Sequence, residues 1–295
     1  MKNIAFIINP ISGADNQNRR RVPKLIDKLL DKEQWSANVV FTEYKGHATE
    51  LAQQYAALGF ASVVAVGGDG TVNEVASGLR HTQTALGVIP IGSGNGFARH
   101  LGISLRVPNA IDMLNRAEPI TVDYGTANDV PFFVTCGCGF DALISEEFQK
   151  ANKRGVKTYV EQIVKELWRY EPQHYRLMGD GIDLDTDAFL ITFANCNQWG
   201  NAAQIAPKAS IQDGKLDIAI VSKFSLIVAP ALAMRLFTKN VDSSFYVNSL
   251  KARKVQLIRE SAAPFHIDGD PVHMPETIDI KIVEDGLRVL AEKRF

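Results

Sequence analysis

Cysteine is scarce in this sequence. Cys136, Cys138 and Cys196 make an odd number with no Cys-x-x-Cys pair, which argues against a disulfide-stapled scaffold and a zinc-finger-type site and favours a reducing compartment. No apolar run approaches the ~20 residues of a bilayer-crossing helix, so no transmembrane segment is expected. Met1-Lys2-Asn3 leads straight into IAFIINP, an apolar stretch too short for the core of a secretory leader, and a cytoplasmic location is expected. An excess of one charge is also missing. Lys and Arg total 32 against 33 Asp and Glu, which leaves no basic field of the kind nucleic-acid binding requires. Internal repeats, low-complexity tracts and a Walker A sequence GxxxxGK[ST] are absent too.

What is present is an ordinary globular composition, 46% hydrophobic and 22% charged over 295 residues. At roughly 150 residues per domain that length predicts two domains. The most informative stretch is AVGGDGTVNEV. Ala61 to Val66 is a valine-rich run that reads as a strand buried on both faces. Gly67, Gly68 and Gly70 follow, so the chain can turn sharply and admit another group close to its backbone. Thr71 stands three residues before Glu74, the spacing of a capping box, and Val72, Val75, Ala76 and Leu79 give the next segment a helical apolar face. Strand, glycine turn and helix in that order suggest a phosphate cradle, because a helix N-terminus offers unspent N–H groups and partial positive charge. Asp69 lies inside the turn, where a carboxylate among phosphates needs a divalent cation or hydrogen-bond donors beside it. The plainer alternative is that the glycines only join a strand to a helix.

Strands are predicted at Ile4 to Ile8, Asn38 to Thr42, Ala61 to Val66 and Leu86 to Ile91, with helices at Arg19 to Leu30 and His47 to Leu58. That alternation predicts a doubly wound, mainly parallel α/β sheet, which binds ligands at the carboxyl ends of its strands. Four polar or glycine-rich turns fall there: Asn9 to Gly13, Thr42 to His47, Gly67 to Thr71, and Pro90 to Gly96. Two glycine loops in one such domain point to a nucleotide. Arg19, Arg20 and Arg21 oppose the macrodipole of their helix and are either a site for an anionic partner or a solvated surface run. Gly137 to Ala142 fits GxGxxA, but no tidy βαβ unit follows, and it is read as a chance match.

After Glu118 the rhythm changes. Ile120 to Tyr124 and Val130 to Cys136 look like a hairpin, and Glu146 to Tyr170 reads as helical, interrupted at Gly155. Short strands follow at Tyr175 to Leu177, Ile182 to Leu184, Ala188 to Ala194, Leu216 to Val221, Lys254 to Arg259, Phe265 to Ile267, Ile278 to Val283 and Arg288 to Ala291. Their turns include Asp213-Gly214 and Asp268-Gly269, and the pattern predicts a β-rich sandwich over residues 121–295 after an α/β domain over 1–120. Phe224 to Phe237 is the most apolar stretch of this half. It reads as a core helix on the sheet, or as one that lies at a membrane interface or lines an acyl-chain tunnel.

Read together, NPISG at Asn9 to Gly13, GHA at Gly46 to Ala48, GGDGTVNEV at Gly67 to Val75, IPIGSGNGFARHLG at Ile89 to Gly102, GFDA at Gly139 to Ala142, APKASIQDGKLD at Ala206 to Asp217 and the late Asp268-Gly269-Asp270 resemble the diacylglycerol kinase-like lipid kinases in content and order. That family includes bacterial diacylglycerol and related lipid kinases and the sphingosine kinases, with NAD kinases and phosphofructokinases as remoter relatives. The resemblance spans almost the whole chain. It implies a Rossmann-like nucleotide domain, a β-sandwich domain, and a cleft between them where ATP and a lipid hydroxyl meet in phospholipid metabolism.

Carried over by residue, the resemblance gives Gly67, Gly68, Asp69, Gly70 and Thr71 as the loop holding the ATP phosphates, with Asn9, Ser12, Gly13, Thr42, Ser93 and Asn95 lining the same pocket. Glu74 is then a partner of metal or nucleotide, or simply the capping-box acid. Asp213 resembles a structural magnesium ligand, completed by backbone carbonyls near Ser210 and Lys215; on its own, Asp213-Gly214 would be only a turn. Asp268 matches the proposed general base, with Asp69 as the other candidate. The sequence reads Asp-Gly-Asp where the family usually has Asp-Gly-Glu, so the acid at Asp270 is one methylene short. His100 and His266 flank these motifs; His100 is read as loop scaffold and His266 as an alternating strand residue. ATP and Mg²⁺ are the implied cofactors and a lipid at the membrane surface the implied partner, with peripheral association and a homodimer left open. A small-molecule kinase of the NAD kinase type would share the first loop, though GFDA and Asp268 to Asp270 favour the lipid branch. An inactive nucleotide-binding regulator is the third alternative. The sequence does not distinguish diacylglycerol, a sphingoid base, ceramide or phosphatidylglycerol as acceptor.

Overall fold

The computed structural model describes residues 1–13, 18–150, 166, 167 and 169–292, with the side chains of 18–20 and 148–150 left out. Most of the expected Glu146 to Tyr170 helix, and the side chains of Arg19 and Arg20, lie outside that description. The chain divides into two compact units, Met1–Asp123 with Glu284–Phe295, and Tyr124–Val283.

In the first unit, Lys2–Ile8, Trp35–Phe41, Ser62–Gly67 and Ala85–Pro90 are parallel strands in the order second, first, third, fourth. The last two are buried along their whole length, as unbroken apolar runs require. Helices Asn18–Leu29, His47–Ala57, Asp69–Leu79, Gly96–His100 and Val107–Arg116 complete a doubly wound α/β fold. Its topological switch lies between the first and third strands, so the crevice expected for a ligand opens after Ile8 and Gly67. The last strand also contributes here. Ile278 to Val283 and Arg288 to Ala291 belong to one continuous strand, Thr277–Ala291, whose Val289 pairs in parallel with Leu86. The gap expected between them, 284–287, is absorbed within it. Asp285 takes a left-handed φ of 53° and donates its N–H to Asp123 Oδ1 at 2.9 Å.

The second unit is a sandwich. Six antiparallel strands run in the order Val247–Ala252, Leu216–Val221, Leu190–Ala194, Thr135–Gly139, Ala263–Ile267, Asp270–Met274. The facing sheet contains the first half of Thr277–Ala291, then Lys254–Arg259, Gln173–Gly179 and Ile182–Ala188. Phe193, Ile218 and Phe265 from the first sheet meet Leu177, Leu257 and Ile280 from the second in one buried core. The predicted hairpin is shorter than expected, because its pairing runs from Gly125–Ala127 to Val130–Phe132 and Thr135 onward joins the six-stranded sheet. That pairing also disposes of the GxGxxA match. Its strand is antiparallel to both neighbours, which is not the βαβ context a dinucleotide needs.

Arg259 is buried and spends its guanidinium on backbone carbonyls. Nε donates to Pro275, Nη1 to Pro264, and Nη2 to both Ala263 and Met274, at 2.6–3.2 Å. Those carbonyls flank the open end of the hairpin that carries Asp268 at its tip. The expected core helix at Phe224 to Phe237 is shorter, Ala229–Phe237, and only Leu232 of its nine residues is buried.

Candidate nucleotide site and catalytic carboxylates

In the first unit, three of the four turns after the parallel strands are brought into direct contact. Asn9 follows the first strand, and its Nδ2 donates to Thr71 Oγ1 at 3.2 Å, while its Oδ1 accepts the N–H of Ile11. Thr71 in turn lies against Gly67, where a Cβ would stand 2.3 Å from its hydroxyl oxygen. The two glycine loops touch each other. A Cβ on Gly92 would stand 2.4 Å from Gly68 Cα, closer than any real side chain tolerates, so glycine there is a condition of the contact. Asn95 closes the second loop by accepting the N–H of Gly92 and donating to its carbonyl, and it holds a left-handed φ of 52°. Asp69 Oδ1 lies 3.4 Å from the N–H of Phe97, at the start of the next helix. Gly70 differs from Gly67 and Gly92. It is exposed on the first turn of the Asp69–Leu79 helix, and a Cβ there would meet nothing within 4 Å. Open space beside helix-start N–H groups is what a phosphate requires.

Of the other pocket candidates, Ser93 is exposed and Ser12 half-buried, and Gly13 takes a φ of 87° in the turn after the first strand. Thr42 bonds through its N–H to Ile8 O at 2.9 Å. The capping box does not form. The helix begins at Asp69 with Gly68 as an extended N-cap residue, so Thr71 is already inside it. Glu74 turns instead to the neighbouring helix, where its carboxylate accepts the N–H groups of Gly46 and Ala48 at 3.0 and 3.2 Å. GHA is therefore the helix start that Glu74 caps, and Gly78 lets the two helices approach until a Cβ would lie 2.7 Å from Thr49 O. Glu74→Ala should lower stability by about 1–2 kcal/mol. Chemical denaturation reads this, and an unchanged midpoint would remove the cap from the account.

In the second unit, Asp268 sits with Gly269 in the two-residue turn between Ala263–Ile267 and Asp270–Met274, both at positive φ. Its carboxylate gathers the chain before the central strand. Oδ1 accepts from the N–H groups of Val134 and Thr135 at 2.8 and 3.1 Å, and Phe133 N–H lies 2.9 Å from Oδ2 and 3.2 Å from Oδ1. Asp270 opens the following strand and is exposed. Sequence reasoning assigned no role to Asp141 of the GFDA motif. Its Oδ2 accepts from Thr192 Oγ1 at 3.0 Å and lies 3.1 Å from His266 Nε2, while His266 Nδ1 is buried with no partner. Thr192, Gly137 and His266 stand in register on adjacent strands, and the absent side chain of Gly137 leaves the room this carboxylate fills. A glycine between two polar residues on neighbouring strands is the signal that could have found it.

The expected magnesium ligand has other partners. Asp213 Oδ1 accepts the N–H of Lys215 at 3.2 Å, and Oδ2 lies 2.7 Å from Lys251 Nζ. The same ammonium is 3.0 Å from Asp217 Oδ2, close but without hydrogen-bond alignment. Burial pushes the Asp217 carboxyl up, opposed by Lys251 and reinforced by Asp213 and Asp242. Ser210 Oγ accepts the N–H of Gln212. Among the described residues no three His, Cys, Asp or Glu side chains gather as metal ligands. The fit to a divalent cation is therefore poor, because Lys251 already stands between the two carboxylates. Chelator or added Mg²⁺ should shift the wild-type melting midpoint by less than about 1 °C, whereas Lys251→Met should cost about 1–2 kcal/mol and become Mg²⁺-responsive. A wild-type midpoint that falls several degrees on chelation would restore a metal to Asp213.

Two family patterns match this chain: the diacylglycerol kinase catalytic domain over residues 3–127 and the YegS C-terminal NAD kinase beta sandwich-like domain over residues 134–291. A probable lipid kinase YegS-like protein of Chromohalobacter salexigens is 33% identical over 232 residues, which cover 77% of this chain and 75% of that protein. The chain belongs to the diacylglycerol kinase-like lipid kinase family. The structures agree on fold. A diacylglycerol kinase from Bacillus anthracis str. Sterne matches with a TM-score of 0.75 at 19% identity, covering 99% of this chain and 97% of that one. An NAD kinase from Archaeoglobus fulgidus, solved in complex with ATP, matches at 0.52 and 12%, covering 98% and 94%. Membership of this lipid kinase family makes the chain a phosphotransferase.

Proposed function

We propose that this protein transfers the γ-phosphoryl group of ATP to the hydroxyl of a membrane lipid, diacylglycerol or a close relative, with Mg²⁺ accompanying the nucleotide. The observation that carries the reading is the contact between the two glycine loops, with Gly70 facing open space beside it. Gly67, Gly68, Gly70 and Thr71 hold the phosphates through backbone N–H groups and the helix start, and Asn9, Ser12, Gly13, Thr42, Ser93 and Asn95 shape the surrounding pocket. Glu74 acts there at one remove, by fixing the neighbouring helix. Magnesium, when bound with the triphosphate, would neutralise charge that develops on the transferring group. Asp69, in the phosphate loop, holds the nucleotide's cation. A lipid hydroxyl is a weak acid, and Asp268 takes its proton as the new P–O bond forms while the P–O bond to the departing ADP breaks.

The test offers labelled ATP and Mg²⁺ with diacylglycerol, sphingosine, ceramide, phosphatidylglycerol and NAD in parallel, for wild type and Asp69→Asn. Label on a lipid with wild type alone is the expected result. Label on NAD would make this a small-molecule kinase, and label on none would leave a nucleotide-binding regulator.

A further inference from the structure

The second unit carries an apolar surface that its own core does not use. The Ala229–Phe237 helix is apolar around most of its circumference, a composition that belongs in a protein interior, yet it buries only Leu232. Ile227, Met234 and Phe237 are 90%, 62% and 56% exposed, and Phe245 is 97% exposed. Ile227 and Phe245 are the two most exposed large apolar side chains among the described residues. Met234 and Phe237, three residues apart, fall on one face of the helix, and Ile227 stands in the turn that leads into it. The loop bearing Phe245 is tied alongside: Arg235 Nη1 donates to Ser243 Oγ at 2.7 Å, Ser222 donates its N–H to Tyr246 O, and the Tyr246 ring packs near both Phe224 and Phe245.

The segment that carries most of this patch has charges of one sign. From Ser222 to Val241 the chain contains Lys223, Arg235 and Lys239 and no acidic residue. Lys223 is paired with Glu171, and the next acid, Asp242, is paired with Lys208. Arg235 bonds to neutral oxygens, Asn240 O and Ser243 Oγ. We infer that Ile227, Met234, Phe237 and Phe245 insert into the headgroup region of an anionic phospholipid bilayer, with Arg235 and Lys239 meeting lipid phosphates at the rim. A second copy of the chain is a poorer occupant, since a two-fold contact would set the same cations against one another. A bilayer offers apolar depth and the opposite charge together, the combination that holds short interfacial helices. The inference deepens the lipid-kinase reading and rests on it in one respect, that the acceptor lies in a membrane.

The test is sedimentation of the full chain with vesicles of phosphatidylcholine alone or of phosphatidylcholine and phosphatidylglycerol in equal parts, at low and high salt. Wild type should bind the anionic vesicles, the Ile227→Ser/Phe245→Ser variant at least tenfold less, and Lys239→Gln with a shallower salt dependence. Circular dichroism melts establish that the variants fold. Equal partitioning of wild type and the double variant would overturn the inference. So would concentration-dependent self-association without lipid that the double variant abolishes, because the patch would then cover a second copy. Transfer to a short-chain diacylglycerol kept below its micelle threshold separates this from the kinase reading. The double variant should retain that activity while losing transfer to vesicle-embedded acceptor. If wild type binds vesicles but phosphorylates neither form, the kinase reading falls and the docking surface stands.

Discussion

Gly92→Ala should cut nucleotide-dependent turnover by about 10²-fold, while Gly70→Ala should fold at least as well as wild type and still lose nucleotide affinity. The two substitutions add the same methyl group to opposite circumstances. At Gly92 the methyl would lie 2.4 Å from the Cα of Gly68, which is backbone and cannot rotate away. The loops must separate, at about 1–3 kcal/mol of stability, and a displacement of roughly 1 Å in positioning groups costs about 10²-fold in rate. At Gly70 nothing lies within 4 Å, and the residue is helical. Alanine restricts the unfolded chain there and should add about 0.4–1 kcal/mol. The same methyl would intrude on a phosphate lying against the helix start. Calorimetric ATP binding and melting midpoints for both variants read this out. A Gly70→Ala protein with undiminished affinity would move the phosphates elsewhere.

Asp268→Asn should lose about 10²- to 10⁴-fold in phosphoryl transfer while binding ATP as wild type does. The structure adds a second effect. The carboxylate accepts N–H groups from three consecutive residues, and an amide keeps one acceptor oxygen while presenting a donor to the others. Bonds to a charged acceptor are worth about 1.5–3 kcal/mol against 0.5–1.5 for neutral ones, so stability should fall by about 2 kcal/mol as well. Single-turnover transfer and ATP binding, measured well below the variant's melting range, separate the two roles. Transfer that returns to the wild-type rate once the protein is fully folded would reduce Asp268 to a tie that holds Phe133 to Thr135.

The parallel sheet was legible because its third and fourth strands are apolar runs buried along their whole length, and the four turns at the carboxyl ends of its strands follow from topology alone. Leu216–Val221 and Lys254–Arg259 also appear as read, one as an apolar run interrupted only by Asp217 and the other by alternation. Local pattern failed where distant groups decided the outcome. Thr71 has the right spacing for a cap, but Gly68 is the N-cap residue and the helix starts three residues earlier. The helix Val107–Arg116 was hidden by Pro108, which suits a first turn as well as a loop. Val247–Ala252 is polar and weakly patterned, and becomes a strand because Leu216–Val221 pairs with it. Lys251 carried no signal at all. Its meaning lies across two strands, where Asp213 and Asp217 converge on it.

The hairpin with Asp268 at its tip is fastened at both ends, by that carboxylate and by the guanidinium of Arg259 on four carbonyls. Hairpins ordinarily fray from their open end, and their amides exchange with solvent faster than those of the domain around them. This one has no loose end from which to begin. The amides of Phe265 to Ile267, on the strand paired on both sides, should exchange only when the sandwich opens, so hydrogen–deuterium labelling of these residues should report global unfolding. Lysine at Arg259 would supply one donor group in place of the planar fork and should let those amides exchange on their own.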